Sequence, residues 1–203
     1  AGTFYAVVGK SGAGKSTFLS LLAGLDSPTK GKVLFQGKDI AQESYSAHRR
    51  HNICLVFQNY NLIDYLTPLE NVRLANAEAS EDLLLQLGLG QDLIHRNVLK
   101  LSGGQQQRVF LARALVQDGE IYFMDEPFKG VDKKTEETII TILKEMKNKG
   151  KTVVVVHHDL NTVRSYFDWV TLLNVRTVAC GKTTEVFTAA SLKEAYNLQE
   201  VVL

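Results

Sequence analysis

Short apolar runs of β type alternate along the chain with longer stretches that have helical spacing. The runs at 121–124 and 153–156 contain no alternating polar positions, which is typical of central parallel strands covered on both faces. The pattern therefore predicts an α/β fold with a mainly parallel core sheet. The predicted strands are Thr3–Val8, Gly31–Gly37, Asn52–Phe57, Glu120–Asp125 and Lys151–His157, with shorter strand-like pieces after Trp169. The predicted helices are Lys15–Leu25, Thr67–Leu89, Ser102–Val116, Lys133–Lys149 and a terminal helix near Ser191–Tyr196.

The composition limits the classes of partner. The 203 residues fit one domain, and the near balance of 23 basic and 22 acidic residues gives no reason to expect nucleic acid as a ligand. No stretch is long and apolar enough to span a bilayer, so we expect any membrane role to be peripheral and to pass through a partner. The chain opens directly into a predicted strand, so we expect no signal peptide. Cys54 and Cys180 lie far apart without metal-binding spacing, which favours buried small hydrophobes.

A glycine-rich loop follows the first predicted strand and precedes the first predicted helix. It matches the pattern G-x-x-x-x-G-K-[ST], which wraps backbone N–H groups around a phosphate at a helix N-terminus. Lys15 is predicted to reach the β- and γ-phosphates, and Ser16 to bind Mg²⁺. The alternative is a glycine-rich turn that happens to carry a lysine. The predicted nucleotide contacts are Gly9, Lys10, Ser11, Gly12, Ala13, Gly14, Lys15, Ser16 and Thr17.

Two acidic residues lie at the end of the predicted strand Glu120–Asp125. Asp125 is its last residue, and Glu126 follows directly. A carboxylate at the carboxyl end of a parallel strand faces the crevice where such sheets bind ligands. Asp125 is therefore predicted to hold Mg²⁺, and Glu126 to act as general base toward the attacking water. The alternative for an isolated Asp-Glu pair is a solvated turn.

The stretch "LSGGQQQR" at 101–108 separates this sequence from simple GTPases and kinases, which have the first two motifs but not this one. Ser102, Gly103, Gly104 and Gln105 open a predicted helix and form a second candidate anion site. With this motif the sequence resembles the ATP-binding cassette (ABC) family of P-loop ATPases. The resemblance implies that the signature faces the γ-phosphate held by a second subunit, so that two chains enclose two ATP molecules head to tail. A capped helix start with flexible glycines would explain Ser-Gly-Gly alone.

Three further residues match the family pattern in order and spacing. The resemblance implies that Gln58 contacts Mg²⁺ and water, that Asp132 is the aspartate of the D-loop, and that His158 is the switch histidine near the γ-phosphate. Taken alone, each of these would more often be a surface residue. His157 is predicted to pack at a strand end. Lys129 departs from the small residue that the family usually has at its position.

The resemblance covers nearly the whole chain and implies one ABC-type nucleotide-binding domain. The expected division is a RecA-like core at 1–58 and 102–203, a small helical subdomain at about 59–101, and a truncated antiparallel subdomain. The implied activity is hydrolysis of ATP with Mg²⁺, coupled to transmembrane permease subunits, by a cytoplasmic protein peripheral on the inner face of the membrane. The alternatives are a soluble ABC ATPase of DNA repair or translation, and a chimeric or truncated fold with little turnover.

The two halves resemble different subfamilies. The N-terminal half is similar to ATPases of macrolide, peptide or lipoprotein exporters, and the C-terminal half to those of manganese or zinc importers, which suggests a chimera. Family members usually carry further strands before the phosphate loop, with an aromatic residue that stacks on adenine. Phe4 and Tyr5 are expected to lie in the sheet instead. We therefore expect weak ATP binding, little preference over GTP, impaired activity and an exposed strand edge near Gly31–Gly37.

Overall fold

The computed structural model describes residues 2–56 and 61–197. The strands over these residues are β1 Phe4–Val8, β2 Leu34–Phe35, β3 Lys38–Asp39, β4 Ile53–Val56, β5 Ile121–Asp125, β6 Thr152–Val156, β7 Trp169–Asn174 and β8 Arg176–Lys182. The α-helices are α1 Lys15–Leu22, α2 Ile40–Glu43, α3 Tyr45–His51, α4 Pro68–Arg73, α5 Asp82–Gln86, α6 Gly103–Leu115, α7 Lys133–Asn148, α8 Leu160–Tyr166, α9 Thr183–Val186 and α10 Ala189–Tyr196. Two 3₁₀ turns lie at Gln91–Leu93 and Val98–Lys100.

The main sheet has the strand order β4-β5-β6-β1-β7-β8. Neighbouring strands from β4 to β7 are parallel, and β8 alone of this sheet runs antiparallel, against β7. The predicted α/β fold with a mainly parallel core sheet is therefore confirmed. The carboxyl ends of parallel strands meet at one edge, so the ends of β1, β5 and β6 bring the predicted site residues together.

Both faces of the central strands are buried, which explains their unbroken apolar runs. In β1, Phe4 and Val8 join the larger hydrophobic cluster, whereas Val7 points into the smaller cluster on the other face. Leu19 of α1 covers the smaller face, and Ile139 of α7 covers the larger one. The prediction that Phe4 and Tyr5 lie in the sheet is confirmed, because both belong to β1. The ring centroid of Phe4 lies 4.5 Å from that of Phe167, and the ring centroid of Tyr5 lies 5.9 Å from that of Trp169.

The predicted strand Gly31–Gly37 is shorter than expected. Only Leu34–Phe35 forms β2, which pairs with β3 in a separate two-stranded sheet. Gln36 and Gly37 join them with φ of 49° and 81°, and two positive φ values in a two-residue turn suit a tight hairpin. Within the described ranges, β2 and β3 pair only with each other.

Two predicted helices end early. Helix α1 stops at Leu22 rather than Leu25 because Gly24 adopts a left-handed φ of 63°, and the amide of Leu25 bonds back to the carbonyl of Ser20. The stretch Thr67–Leu89 divides into α4 and α5. Between them the side chain of Asn76 accepts the Glu78 amide at 3.1 Å, a local turn that competes with helix.

The sequence pattern missed helices α2, α3, α8 and α9. The division into a core and a helical subdomain stays a prediction, although α4 and α5 both pack on α6. In the part of the chain that the structure describes, no helix has the length and apolar character needed to cross a membrane.

Candidate functional site

A cavity of about 550 Å³ opens at the carboxyl edge of the main sheet. It joins the phosphate loop to the ends of β5 and β6, so most residues predicted from separate motifs share one space. Its lining residues are Gly9, Lys10, Ser11, Gly12, Gly14, Lys15, Ser16, Thr17, Asp125, Glu126, His158 and Tyr196. Ala13 is buried beneath the loop.

The phosphate loop ends in an uncapped helix start. Gly14 is the N-cap of α1 with a left-handed φ of 91°, makes no side-chain cap hydrogen bond, and has no acidic residue in the turn after it. The first amides of α1 and the positive end of its dipole therefore face the cavity without a capping side chain from their own turn. Lys15 lies across the loop, with Nζ donating to the carbonyls of Gly9 at 2.8 Å and Lys10 at 3.0 Å.

Ser16 and Asp125 meet across the cavity floor. The Ser16 hydroxyl donates to Oδ2 of Asp125 at 2.7 Å, and Asp125 is only 5% exposed at the end of β5. A hydroxyl beside a buried carboxylate is an all-oxygen donor pair, which is the chemistry that Mg²⁺ prefers. The chemistry of these two oxygens therefore fits the predicted Mg²⁺, and Ser16 is next in sequence to Lys15, the residue predicted to reach the phosphates.

Glu126 follows Asp125 with an unusual left-handed φ of 52°. Its amide donates to the carbonyl of Val156 at 3.2 Å, and Gln107 donates to the next carbonyl, that of Pro127, at 3.0 Å. These bonds hold a conformation that a non-glycine residue seldom adopts. The Glu126 side chain is 21% exposed and pairs with Lys129 Nζ at 3.3 Å.

The two histidines after β6 have different surroundings. His158 is exposed and lines the cavity. His157 is 2% exposed, packs between Phe128 and Phe167, and bonds Thr162 Oγ1 through Nε2 at 2.7 Å. Burial, followed by the neighbouring His158, lowers the pKa of His157 to about 4. The prediction that His157 packs at a strand end is confirmed.

The signature residues lie on α6, outside the lining of this cavity among the described residues. Ser102 caps α6 by accepting the Gln105 amide at 3.3 Å, and the Gln105 side chain accepts the Ser102 amide at 2.9 Å. This reciprocal capping box fixes the helix start. Gly104 passes so close to Gly130 that a Cβ on Gly104 would lie 2.7 Å from the Gly130 carbonyl oxygen.

Asp132 lies on the same side of the molecule as the signature. It caps α7, accepting from the Thr135 amide at 2.9 Å and hydroxyl at 2.8 Å, and pairs with Arg108 at 3.0 Å. The bonds from Thr135 are the main reason that the pKa of Asp132 is lowered. One chain therefore holds two separate groups of predicted site residues, one around the loop and one around Ser102 and Asp132.

Gln58 lies outside the described residues, so its predicted contacts stay predictions. Tyr196 was missed: it enters the cavity from the last described helix, and nothing in its local sequence marks it as a site residue.

The profile of the family described as "ABC transporter" matches residues 1–129. The chain belongs to this family. Relatives among curated proteins agree: the manganese transport system ATP-binding protein MntB of Bacillus subtilis is 42% identical over 96% of this chain and 82% of that protein. The zinc transport system ATP-binding protein TroB of Treponema pallidum is 43% identical over 96% of this chain and 77% of that protein. This ABC chain is thus a nucleotide-binding domain homologous to ATP-binding subunits of transport systems.

Solved ABC structures share the fold. A dimeric ATP-binding cassette in a post-hydrolysis state with ADP and Pi is 36% identical, with a TM-score of 0.79 over 89% of this chain and 85% of that chain. An ATP-binding subunit of an ABC transporter is 28% identical, with a TM-score of 0.83 over 97% of this chain and 85% of that chain.

The expected chimera is not shown by these comparisons. The macrolide export protein MacB of Bartonella henselae is 41% identical over 78% of this ABC chain, which covers 26% of that protein. The manganese and zinc relatives, however, each align over 96% of the chain and so span both of its halves.

Proposed function

We propose that this chain binds and hydrolyses ATP with Mg²⁺ and transmits closure of a head-to-tail dimer to a membrane permease. The observation that supports this proposal most directly is that the phosphate loop, Asp125, Glu126 and His158 line the same cavity. The ATP-binding subunits among its relatives and the dimeric cassettes among its structural neighbours support the proposal.

The loop binds the triphosphate through its backbone amides and the start of α1. Lys15 exchanges its two carbonyl partners in the loop for phosphate oxygens, and so neutralises charge on the β- and γ-phosphates. Thr17, on the first turn of α1, lies where the phosphate chain leaves the loop. Fixed N–H donors and one cation account for most of the catalysis, because they need little rearrangement in the transition state.

Ser16 and Asp125 would hold Mg²⁺, with Gln58 as a further ligand. Bound there, the ion would neutralise charge on phosphate oxygens. The hydrogen bond between Ser16 and Asp125 places the two donor oxygens 2.7 Å apart, and there they would hold the ion, Asp125 directly or through water. The burial of Asp125 limits competition from water for this carboxylate.

Glu126 takes the proton of the attacking water onto its carboxylate. The backbone hydrogen bond from Glu126 to Val156 fixes the turn that carries this carboxylate, and Lys129 pairs with it. His158, which follows the neighbouring strand β6 and lines the same cavity, contacts the γ-phosphate and its attacking water. General base chemistry of this kind contributes about 10²–10⁴-fold to a rate.

A second copy or a homologous subunit completes the site. Its Ser102, Gly103, Gly104 and Gln105 meet the γ-phosphate, and its Asp132 contacts the facing loop. The support is that these residues are already shaped as a helix start but lie outside the lining of their own chain's cavity. Closure of two such sites would carry the mechanical step to the permease.

The proposed location is the inner face of the cell membrane, through the permease. Because the manganese and zinc relatives align over 96% of the chain, we propose a permease for divalent metal ions as the partner. Purification of the tagged chain from its native membranes, followed by mass spectrometry, tests this choice. Recovery with an exporter permease would contradict it.

The activity itself is tested by phosphate release from ATP with and without Mg²⁺. We expect release that requires Mg²⁺ and saturates with ATP. The same titration with GTP measures the base selectivity of the site. A pure, folded chain that releases no phosphate under these conditions would contradict the proposed function.

A further inference from the structure

The end of the described chain lies against the start of the phosphate loop. Tyr196 lines the cavity together with Gly9, and the Gly9 amide is close enough to the phenol to lower the pKa of Tyr196 against the larger effect of burial. In the amide orientation that satisfies its hydrogen bonds, Asn197 accepts from Lys10 Nζ at 2.9 Å. We refer to Tyr196 and Asn197 as the clasp pair. Two consecutive residues from the end of α10 thus contact two consecutive residues of the loop.

The helix that carries the clasp pair is firmly attached to the sheet. Leu192 and Ala195 of α10 are fully buried. The side-chain amide of Asn174, at the end of β7, lies 3.3 Å from the carbonyl oxygen of Glu194 and 3.0 Å from the side-chain amide of Asn197. These contacts fix the end of α10 relative to the strands, so the clasp pair is a rigid support for the loop.

Asn197 serves the helix and the loop together. It has a left-handed φ of 55° at the C-cap of α10, a position that Asn tolerates better than most residues. Its side-chain nitrogen donates to the carbonyl of Glu194 at 3.2 Å, in the last turn of the helix. The same amide therefore satisfies the helix end while its oxygen holds Lys10.

The β7–β8 hairpin supports the loop from the other side. The amide of Val175 donates to the carbonyl of Ala13 at 3.1 Å. Gly9 passes so near the hairpin that a Cβ on it would lie 2.2 Å from the Leu173 carbonyl oxygen. The loop is thus held between the hairpin and the clasp pair, both from the C-terminal part of the described chain.

We propose that Tyr196 and Asn197 are positioning residues of the nucleotide site, which hold Gly9 and Lys10 in the conformation that receives a triphosphate. The inference rests on the proposed function and adds two residues to its site. A phenol is neutral at neutral pH and does not repel phosphate, and burial raises the pKa of Tyr196 still further. Asn197 keeps the Lys10 ammonium at the mouth of the cavity, where negative charge would arrive.

The first test measures amide hydrogen exchange of the loop in the nucleotide-free chain. Tyr196→Phe removes only the hydroxyl and keeps the ring packed, and Asn197→Ala removes the bond to Lys10. Loss of one hydrogen bond corresponds to roughly a fivefold faster exchange of Gly9–Ser16. Tyr65→Phe is the matched control, since Tyr65 is 81% exposed and lies outside the cavity lining.

The second test measures Mg-ATP binding and turnover of the same variants. We expect Tyr196→Phe and Asn197→Ala to raise Kd and KM by about fivefold, leaving kcat within about twofold. Thermal unfolding without nucleotide separates this from a general loss of structure, because Tyr196→Phe should keep its midpoint. Parental exchange or parental affinity in Tyr196→Phe would overturn the inference. A parental chain that releases no phosphate contradicts the proposed function instead, and the exchange comparison still decides whether the clasp pair holds the loop.

Discussion

The phosphate-loop side and the signature side of this chain are both helix starts with glycines, but they are built differently. Helix α1 begins without a side-chain cap, and Ser16 in its first turn bonds instead to Asp125 at the end of β5. Helix α6 begins with a complete capping box between Ser102 and Gln105. On the phosphate-loop side, a bound nucleotide would replace the internal hydrogen bonds that Lys15 and Ser16 make in the cavity. On the signature side, the capping bonds between Ser102 and Gln105 fix the helix start without any ligand. A preformed surface of this kind suits the proposed contact with another subunit's nucleotide.

The segment from Glu126 to Asp132 joins the two sides. Glu126 lines the cavity, Gly130 touches the signature glycine Gly104, and Asp132 pairs with Arg108 of α6. A movement of this segment would therefore change contacts both in the cavity and at the start of α6. The following variants test whether the two sides have the separate tasks that their construction suggests.

Glu126→Gln should give the largest effect. The amide keeps the size of the side chain but cannot accept the proton of water, so phosphate release should fall by about 10²–10⁴-fold. Nucleotide binding should persist, and ATP should stabilise a dimer visible by size-exclusion chromatography. Glu137→Gln, on the exposed face of α7, is the control. Parental turnover in Glu126→Gln would show that another group is the base.

Mixed dimers test whether the two sides act in different chains. Lys15→Ala damages only the loop side, and Ser102→Arg only the signature side, so each variant alone should lose turnover. In an equal mixture, half of the dimers would contain one intact site, and about one quarter of parental activity should return. If either variant alone retains parental phosphate release, the two-chain site is refuted.

The pH dependence of stability tests the packing beneath the joining segment, where His157 contacts Phe128. Burial holds the pKa of His157 at about 4, against 6.5 in the unfolded chain. The unfolded state therefore binds more protons in this window, so the stabilisation is complete above the unfolded pKa and is lost as pH falls toward 4. From pH 7 to pH 5 the free energy of unfolding should drop by about 2 kcal/mol from this group.

Urea unfolding at the two pH values measures that drop. His157→Gln can keep a hydrogen bond to Thr162 but does not titrate, so it should lose this part of the pH dependence. His95→Gln, at an exposed histidine, provides the comparison. An equal pH dependence in the parent and His157→Gln would be inconsistent with a buried neutral imidazole.

Lys129→Ala should give the smallest effect. The Lys129 side chain is 62% exposed, and such ion pairs contribute about 0–1 kcal/mol. Loss of this ion pair removes one restraint on the Glu126 carboxylate and should raise turnover by no more than about fivefold. Lys129→Arg preserves the charge and should stay near the parental rate. A lower rate in Lys129→Ala would mean that the pair orients the base rather than restraining it.

Local patterns explain what could be predicted from the sequence. The loop, Asp125 and Glu126 follow buried strands directly, and parallel strands bring their carboxyl ends to one edge, so their meeting was predictable. The contact of Tyr196 with Gly9 was not, because it depends on how α10 packs on β7 and β8. The break at Asn76 was missed because one side-chain bond outweighed helical spacing. The catalytic and binding roles stay predictions until the variants are measured.

The central place of β1 has a consequence for synthesis. Phe4 pairs with Val153 and Tyr5 with Trp169, partners that lie about 150 residues or more further along the chain. At about 5–20 residues per second, a ribosome needs roughly 10–30 s to supply those neighbours. During that interval β1 lacks its pairing partners β6 and β7, so its apolar side chains stay exposed, as the segments that chaperones bind are. The first-made part of the nucleotide site is therefore among the last to become structured, and high contact order makes this slow.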